Sequence, residues 1–188
     1  MIELKNVSFS YGDHQILKDF NLTVNGGECV QLYGVSGVGK TTVARLILGL
    51  EKAESGQIIV PQKISVVFQE DRLLENVDVL QNVRLPLDKE DYEYADYLLK
   101  ELGLFDVRKK KVNMLSGGMK RRVAIIRAIA YGGDALILDE PFNGLDTQNK
   151  QIIANIVKEN FIDKNKPVLL ITHVKEDAEL LGAKTIEI

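Results

Sequence analysis

Long apolar runs are absent from this 188-residue chain. The strongest stretches, such as Val43 to Leu50, are short and carry Arg45. None approaches the ~20 residues needed to cross a bilayer, so any membrane role must come through a partner. Met1 leads straight into Ile2-Glu3-Leu4-Lys5, and no apolar signal segment is expected. There is one cysteine, Cys29, which excludes an internal disulfide and suits a reducing compartment. Charge of one sign is also lacking. The 24 basic and 27 acidic residues leave a formal net charge of −3, so no global basic field draws nucleic acid or anionic lipid. Neither an internal repeat nor a Pro/Gly/Ser-rich linker is visible. What remains is ordinary globular composition, 45% hydrophobic and 27% charged, which argues against disorder. The length predicts one domain, by the soft prior of ~150 residues per domain, able to fold without disulfides or metal.

The pattern along the chain predicts an α/β fold. Strands are expected at Ile2 to Ser10, Gln15 to Val24 and Glu28 to Tyr33, with turn residues at Gly12-Asp13 and a hairpin signal at Asn25-Gly26. A helix is expected from about Gly39 to Leu50, with Val43, Leu46, Ile47 and Leu50 on one face. Short strands follow at Gln57 to Val60 and Ile64 to Phe68. The stretch from about 70 to 131 reads as mainly helical. Tyr94, Leu98 and Leu102 recur every four residues until Gly103, and a further helix opens near Ser116. Arg108 to Lys111 reads as a solvated loop, and Lys120, Arg121 and Arg122 as a solvated helix face. Ala135 to Leu138 and Val168 to Thr172 are wholly apolar, as parallel strands buried on both faces should be. Asp146 or Thr147 can cap a helix to about Phe161; Lys175 to Leu181 is helical, and Lys184 to Ile188 is a last strand.

Three segments carry chemistry. Gly34-Val35-Ser36-Gly37-Val38-Gly39-Lys40-Thr41-Thr42 follows a strand and opens a helix, the setting a phosphate-binding loop requires. Glycines let successive backbone N–H groups close on phosphate oxygens as an anion nest, and the helix N-terminus adds partial positive charge. Lys40 should reach the β and γ phosphates, and the Thr41 hydroxyl should bind Mg²⁺. Next, Leu136-Ile137-Leu138-Asp139-Glu140 delivers two carboxylates at the C-terminal end of a buried strand, where ligands gather in parallel sheets. Asp139 suits Mg²⁺, and Glu140 can orient attacking water or accept its proton. Third, Leu115-Ser116-Gly117-Gly118 opens a helix with two glycines, each costing up to ~1 kcal/mol against Ala in a helix interior. Close approach to an anion would justify them.

Together these motifs resemble the ATP-binding subunit of an ABC transporter, in the family's order and at about its spacing, over nearly the whole chain. The resemblance implies a P-loop NTPase core of mostly parallel sheet. It adds an antiparallel N-terminal β subdomain and an inserted helical subdomain. The core would span 1–69 and 132–188, and the insertion about 70–131. It assigns Tyr11 to adenine stacking, and Gln69 to the loop that joins the Mg²⁺ site to the helical region. It makes Asp146 the carboxylate of the Asn143-Gly144-Leu145-Asp146 loop, and His173 the switch histidine at γ-phosphate. ATP and Mg²⁺ are the implied ligands. Gly34, Ser36, Gly37, Val38, Gly39, Lys40, Thr41 and Thr42 would hold ATP from one copy, and Ser116, Gly117 and Gly118 from the other. Thr41, Gln69 and Asp139 would serve the metal; Glu140, His173 and Gln69 would serve hydrolysis. The implied partners are a second copy or a related ATPase subunit, in a head-to-tail dimer, and a separate transmembrane permease. The implied location is the cytoplasmic face of the membrane. Phe68 to Leu74 and Val79 to Val83 resemble nitrate, sulfonate or taurine importers.

Met119 departs from the family by replacing a glutamine, and the chain stops at Ile188 where relatives commonly continue, as a natural minimal subunit or a truncated one would. Two rivals stand beside this reading. A soluble non-transport ABC-type ATPase would usually carry two linked cassettes or long coiled-coil insertions. A P-loop kinase would need neither Leu115-Ser116-Gly117-Gly118 nor His173. Singly, Tyr11 reads as well as a turn aromatic, and His173 as a residue at a strand end. His14 reads as a surface residue, and Cys29 as a small buried apolar one.

Overall fold

The computed structural model describes residues Met1–Ile188. β1 (Ile2–Tyr11) and β2 (His14–Val24) pair antiparallel around the Gly12-Asp13 turn. After β3 (Cys29–Tyr33) and α1 (Lys40–Ile47), β4 (Ser55–Ile59) adds to the other edge of β1, giving a three-stranded sheet ordered β2-β1-β4. The chain does turn after Asn25, but no hairpin forms there. β2 lies in the antiparallel sheet, whereas β3 pairs in parallel with two later strands. The reason is burial: Cys29 to Leu32 are all enclosed, so β3 needs cover on both faces and neighbours on both edges, which one hairpin cannot supply.

β5 (Ile64–Val67), α2 (Val79–Arg84), α3 (Tyr92–Glu101), α4 (Gly117–Ala130), β6 (Ala135–Asp139), α5 (Thr147–Val157), β7 (Val168–Ile171), α6 (Lys175–Leu181) and β8 (Lys184–Glu187) complete the chain. The second sheet is wholly parallel, ordered β5-β6-β7-β3-β8. Its continuous apolar strands still alternate between two cores. Leu136, Leu138, Val168 and Leu170 face a cluster built with α3, α4, α5 and α6. Ala135, Ile137, Leu169 and Ile171 face α1 and the antiparallel sheet. All eight are at most 1% exposed, so the sheet is sandwiched, as parallel sheets are. The fold is thus α/β, with P-loop NTPase topology and an antiparallel N-terminal sheet.

α2, α3 and α4 lie between β5 and β6 in sequence, and α2 and α3 pack on α4. Asp78, Ser116 and Asp146 each cap a helix by accepting a backbone N–H three residues ahead. Lys109 to Lys111 are exposed as expected, while Arg108 folds back over the Phe105 ring. The 120–122 face is not solvated as a unit. Lys120 pairs with Glu75 near the surface, but Arg121 is only 4% exposed and Arg122 is half-buried. No helix is long and apolar enough to cross a membrane.

Candidate functional site

The parallel strands end together on one side of the sheet, and the loops that follow β3, β5, β6 and β7 enclose a cavity of about 710 Å³. Open α/β sheets place their ligands there. Gly34, Ser36, Gly37, Gly39, Lys40, Thr41, Thr42, Gln69, Asp139, Glu140 and His173 all line it. Residues from four separated stretches of sequence therefore meet in one space.

The first wall is the loop from β3 to α1. Gly39 takes φ +118°, a conformation L side chains rarely adopt, and a Cβ there would lie 2.8 Å from Ile16 Cγ2. Gly34 is held small by its neighbours: its Cβ would stand 2.8 Å from the Ile188 carbonyl oxygen. Lys40 arches back over the loop and donates to the carbonyls of Gly34 (2.8 Å) and Val35 (2.9 Å). Its ammonium lines the cavity from there.

The second wall joins a hydroxyl, two carboxylates and a histidine. Thr41 Oγ1 donates to Asp139 Oδ2 at 3.3 Å. Asp139 is 3% exposed, and burial pushes its carboxyl above the usual range; the Thr41 hydroxyl works against that rise, and neighbouring Glu140 adds to it. Glu140 takes φ +49° in the turn after β6 and lines the cavity. Glu140 Oε1 lies 2.7 Å from His173 Nδ1, and Oε2 accepts from Thr172 Oγ1 at 3.2 Å. With Glu140 ionised, Nδ1 is the donor. Fully buried Gln31 fixes this histidine's backbone by donating to the carbonyls on either side, Thr172 (3.3 Å) and Val174 (3.4 Å). Buried Asp177 sits behind, pairing with Lys150 at 2.9 Å.

Thr41, Asp139 and Gln69 offer a hydroxyl, a carboxylate and an amide oxygen at one cavity. No group of three His, Cys, Asp or Glu forms a metal cluster anywhere in the chain. That all-oxygen donor set, with one carboxylate, fits a hard cation such as Mg²⁺, which is bound through one or two carboxylates and completes its shell from phosphates and water.

Several expected residues lie elsewhere. Tyr11, Val38, Ser116, Gly117, Gly118 and Asp146 do not line the cavity. Tyr11 is 47% exposed and donates to Glu51 Oε1 at 3.2 Å. Ser116 and Gly117 are exposed, and a Cβ on Gly117 would meet nothing within 4 Å. Gly118 packs close to the loop 143–146: its Cβ would stand 3.1 Å from the Gly144 carbonyl. Asp146 spends its carboxylate on the α5 N-terminus, and bonds from Asn149 hold it below the usual carboxylate range.

Sequence reasoning missed Glu187, which lines the cavity from the end of β8, and the bracing residues Gln31, Thr172 and Asp177. Nothing in a linear sequence joins these. It also misjudged Arg121, whose position was legible. Arg121, Ala124, Ile125 and Ala128 recur at helical spacing, and the last three are plainly apolar.

Comparison with known proteins agrees with this geometry. The sequence profile described as ABC transporter matches residues 17–143. The chain is 34% identical to a phosphonates import ATP-binding protein of Fusobacterium nucleatum, over 99% of this chain and 87% of that one. It is 37% identical to an aliphatic sulfonates import ATP-binding protein of Rhodococcus jostii, over 98% and 78%. Among solved structures, a dimeric bacterial ABC transporter cassette superposes with a TM-score of 0.87 at 30% identity, covering 100% of this chain and 94% of that one. The same cassette in a post-hydrolysis dimer bound to ADP and Pi gives 0.86 at 28% identity, with the same coverage. Motif order, cavity and likeness converge: the chain belongs to the ABC transporter family, as an ATP-binding cassette with the ATPase fold.

Proposed function

We propose that the chain binds and hydrolyses Mg-ATP in a head-to-tail dimer and thereby powers import of a small solute through a separate membrane permease. The observation that carries this reading is the convergence of Lys40, Thr41, Gln69, Asp139, Glu140 and His173 on one cavity, while Ser116 to Gly118 lie outside it, Ser116 and Gly117 exposed. A cavity with these groups can hold a nucleotide's phosphates. An exposed serine with two glycines at a helix N-terminus offers a second anion site apart from that cavity. A second copy, turned head to tail, would bring that site to the γ-phosphate. Tyr11, at the surface beside α1, would stack on the adenine.

The roles follow from position. Lys40 leaves the Gly34 and Val35 carbonyls for the phosphates, and Thr41, Asp139 and Gln69 hold the metal. Mg²⁺, when bound, neutralises phosphate charge and orients the leaving group. Glu140 accepts the proton of the attacking water, and His173, hydrogen-bonded to it, faces the γ-phosphate. Hydrolysis then removes the charge that draws the two anion sites together, so ATP favours the closed dimer and ADP the open pair. We assign residues 1–69 and 132–188 to the ATPase core and about 70–131 to an inserted helical subdomain, whose motion reaches the permease through the loop after Gln69. Pairing with a permease places the chain at the cytoplasmic face of the membrane. The relatives named for phosphonate and sulfonate import favour an oxyanion-bearing solute, with specificity residing in the membrane subunits.

The test is the mass of the Glu140→Gln variant by light scattering with and without Mg-ATP. The reading expects the 21.0 kDa chain to double only with nucleotide. A variant that binds ATP and stays monomeric refutes the sandwich. Phosphate transfer from ATP to a metabolite instead of water would favour a kinase.

A further inference from the structure

Arg121 is a cation enclosed to 4% exposure one turn into α4, and every one of its N–H groups is used. Nε donates to the Pro141 carbonyl at 3.0 Å. Nη2 donates to the carbonyls of Asp139 (2.8 Å) and Glu140 (2.5 Å). Nη1 donates to the Phe68 carbonyl (2.6 Å) and Asp71 Oδ1 (3.0 Å), with the Gln69 carbonyl further off at 3.4 Å. Three consecutive carbonyls thus belong to the turn that carries Asp139 and Glu140, and two to the segment that carries Gln69. Six residues further along the helix, Arg127 donates to two more carbonyls of that segment, Asp71 and Arg72, each at 3.0 Å.

The turn after β6 needs such a partner. Glu140 holds a left-handed backbone, and the other donor to its carbonyl is Asn143 N at 3.4 Å. Buried carbonyls left without donors are costly, and a strained turn persists only where its surroundings determine it. A planar guanidinium can serve two loops at once from one position; the three donors of a lysine ammonium cannot reproduce that fork.

We propose that Arg121 is a positioning residue for hydrolysis. It sets Glu140 and Gln69 in fixed relation to each other and ties both to the helix whose N-terminus is Ser116 to Gly118. The inference rests on the functional reading above, in which Glu140 receives the proton and Ser116 to Gly118 meet the partner's nucleotide. It adds that the helix touching one ATP also holds the hydrolytic groups at the other.

The experiment compares Arg121→Lys and Arg121→Gln with the unchanged chain, each alone and combined with Glu140→Gln. Thermal unfolding, ATP affinity and single-turnover hydrolysis at saturating Mg-ATP are measured for each. For a group displaced by about an ångström, kcat should fall roughly 10- to 100-fold, with ATP affinity kept within about threefold. In the Glu140→Gln background the same substitutions should cost at least about fivefold less than in the parent chain, because Glu140 is gone and only Gln69 is left to be displaced. A loss of rate undiminished in that background, or one that follows a loss of ATP affinity, overturns the proposal and makes Arg121 a folding residue. Should Arg121→Lys be too unstable to bind ATP, Arg121→Gln is judged by the same criteria. If Glu140→Gln alone leaves kcat intact, the assignment of Glu140 fails first, and the proposal falls with it.

Discussion

Replacing Glu140 by Gln separates catalysis from folding by magnitude. The substitution keeps side-chain shape in a site that is 9% exposed, so no cavity opens. The bond from Thr172 Oγ1 survives on the amide oxygen, while the 2.7 Å contact with His173 loses its carboxylate. Bonds to charged groups are worth about 1.5–3 kcal/mol and neutral ones about 0.5–1.5, so folding should lose about 1–2 kcal/mol. Domains are stable by about 5–15 kcal/mol, so more than roughly 99% of the chain stays folded. The chemical step should suffer far more. A positioned general base contributes about 10²- to 10⁴-fold, or roughly 2.7–5.5 kcal/mol of barrier. The assay is phosphate release at saturating Mg-ATP, alongside equilibrium nucleotide binding and a thermal melt. The expected result is kcat down by at least about a hundredfold, with ATP still bound and the melt nearly unchanged. A kcat within about threefold of the parent chain, with ATP bound, would remove Glu140 from the chemistry.

Lys40→Ala should abolish hydrolysis and weaken ATP binding, since no other cation lines the cavity; normal turnover would sink the phosphate-loop assignment. Asp139→Asn should raise the melting temperature in Mg²⁺-free buffer. Burial lifts the Asp139 carboxyl above its usual range, so the folded chain binds that proton more tightly than the unfolded one; the charged form therefore costs stability at neutral pH, a cost relieved as pH falls through the raised value. The same variant should lose Mg²⁺-dependent turnover, and a lowered melting temperature would contradict the burial argument. Cys29, pushed up to about 12 by burial, should resist alkylation at pH 8, where only about one thiol in 10⁴ would ionise. Its modification should follow global unfolding in a denaturant series, and rapid labelling of the native chain would show that β3 is not enclosed.

Much of the site was legible because its chemistry is written in short contiguous stretches. Gly34 to Thr42 and Leu136 to Glu140 each combine a strand end with the polar residues that follow it, and local geometry dictates where those residues go. Strand and helix positions were likewise readable from periodicity, with ends off by one to a few residues: α1 stops at Ile47, short of the expected Leu50. The Asn25-Gly26 turn was read correctly as a turn and wrongly as a hairpin, since which strand pairs with β3 depends on β7 and β8, more than a hundred residues away.

Arg121 marks the same boundary from the other side. In sequence it sits among Lys120 and Arg122, and a run of three cations reads as wet surface. In the fold, the helix face it shares with Ala124, Ile125 and Ala128 turns inward, and Arg121 meets the carbonyls of two loops. The amino-acid sequence by itself determined the α/β class, the phosphate loop, the paired carboxylates and the family. Only the tertiary structure decided that Glu140 meets His173 and Thr172, that Gln31 braces the backbone on either side of His173, and that Arg121 is enclosed. Local patterns follow from each residue's own conformational and hydration preferences; these pairings depend on loop closures across dozens to more than a hundred positions, which no short stretch of sequence encodes.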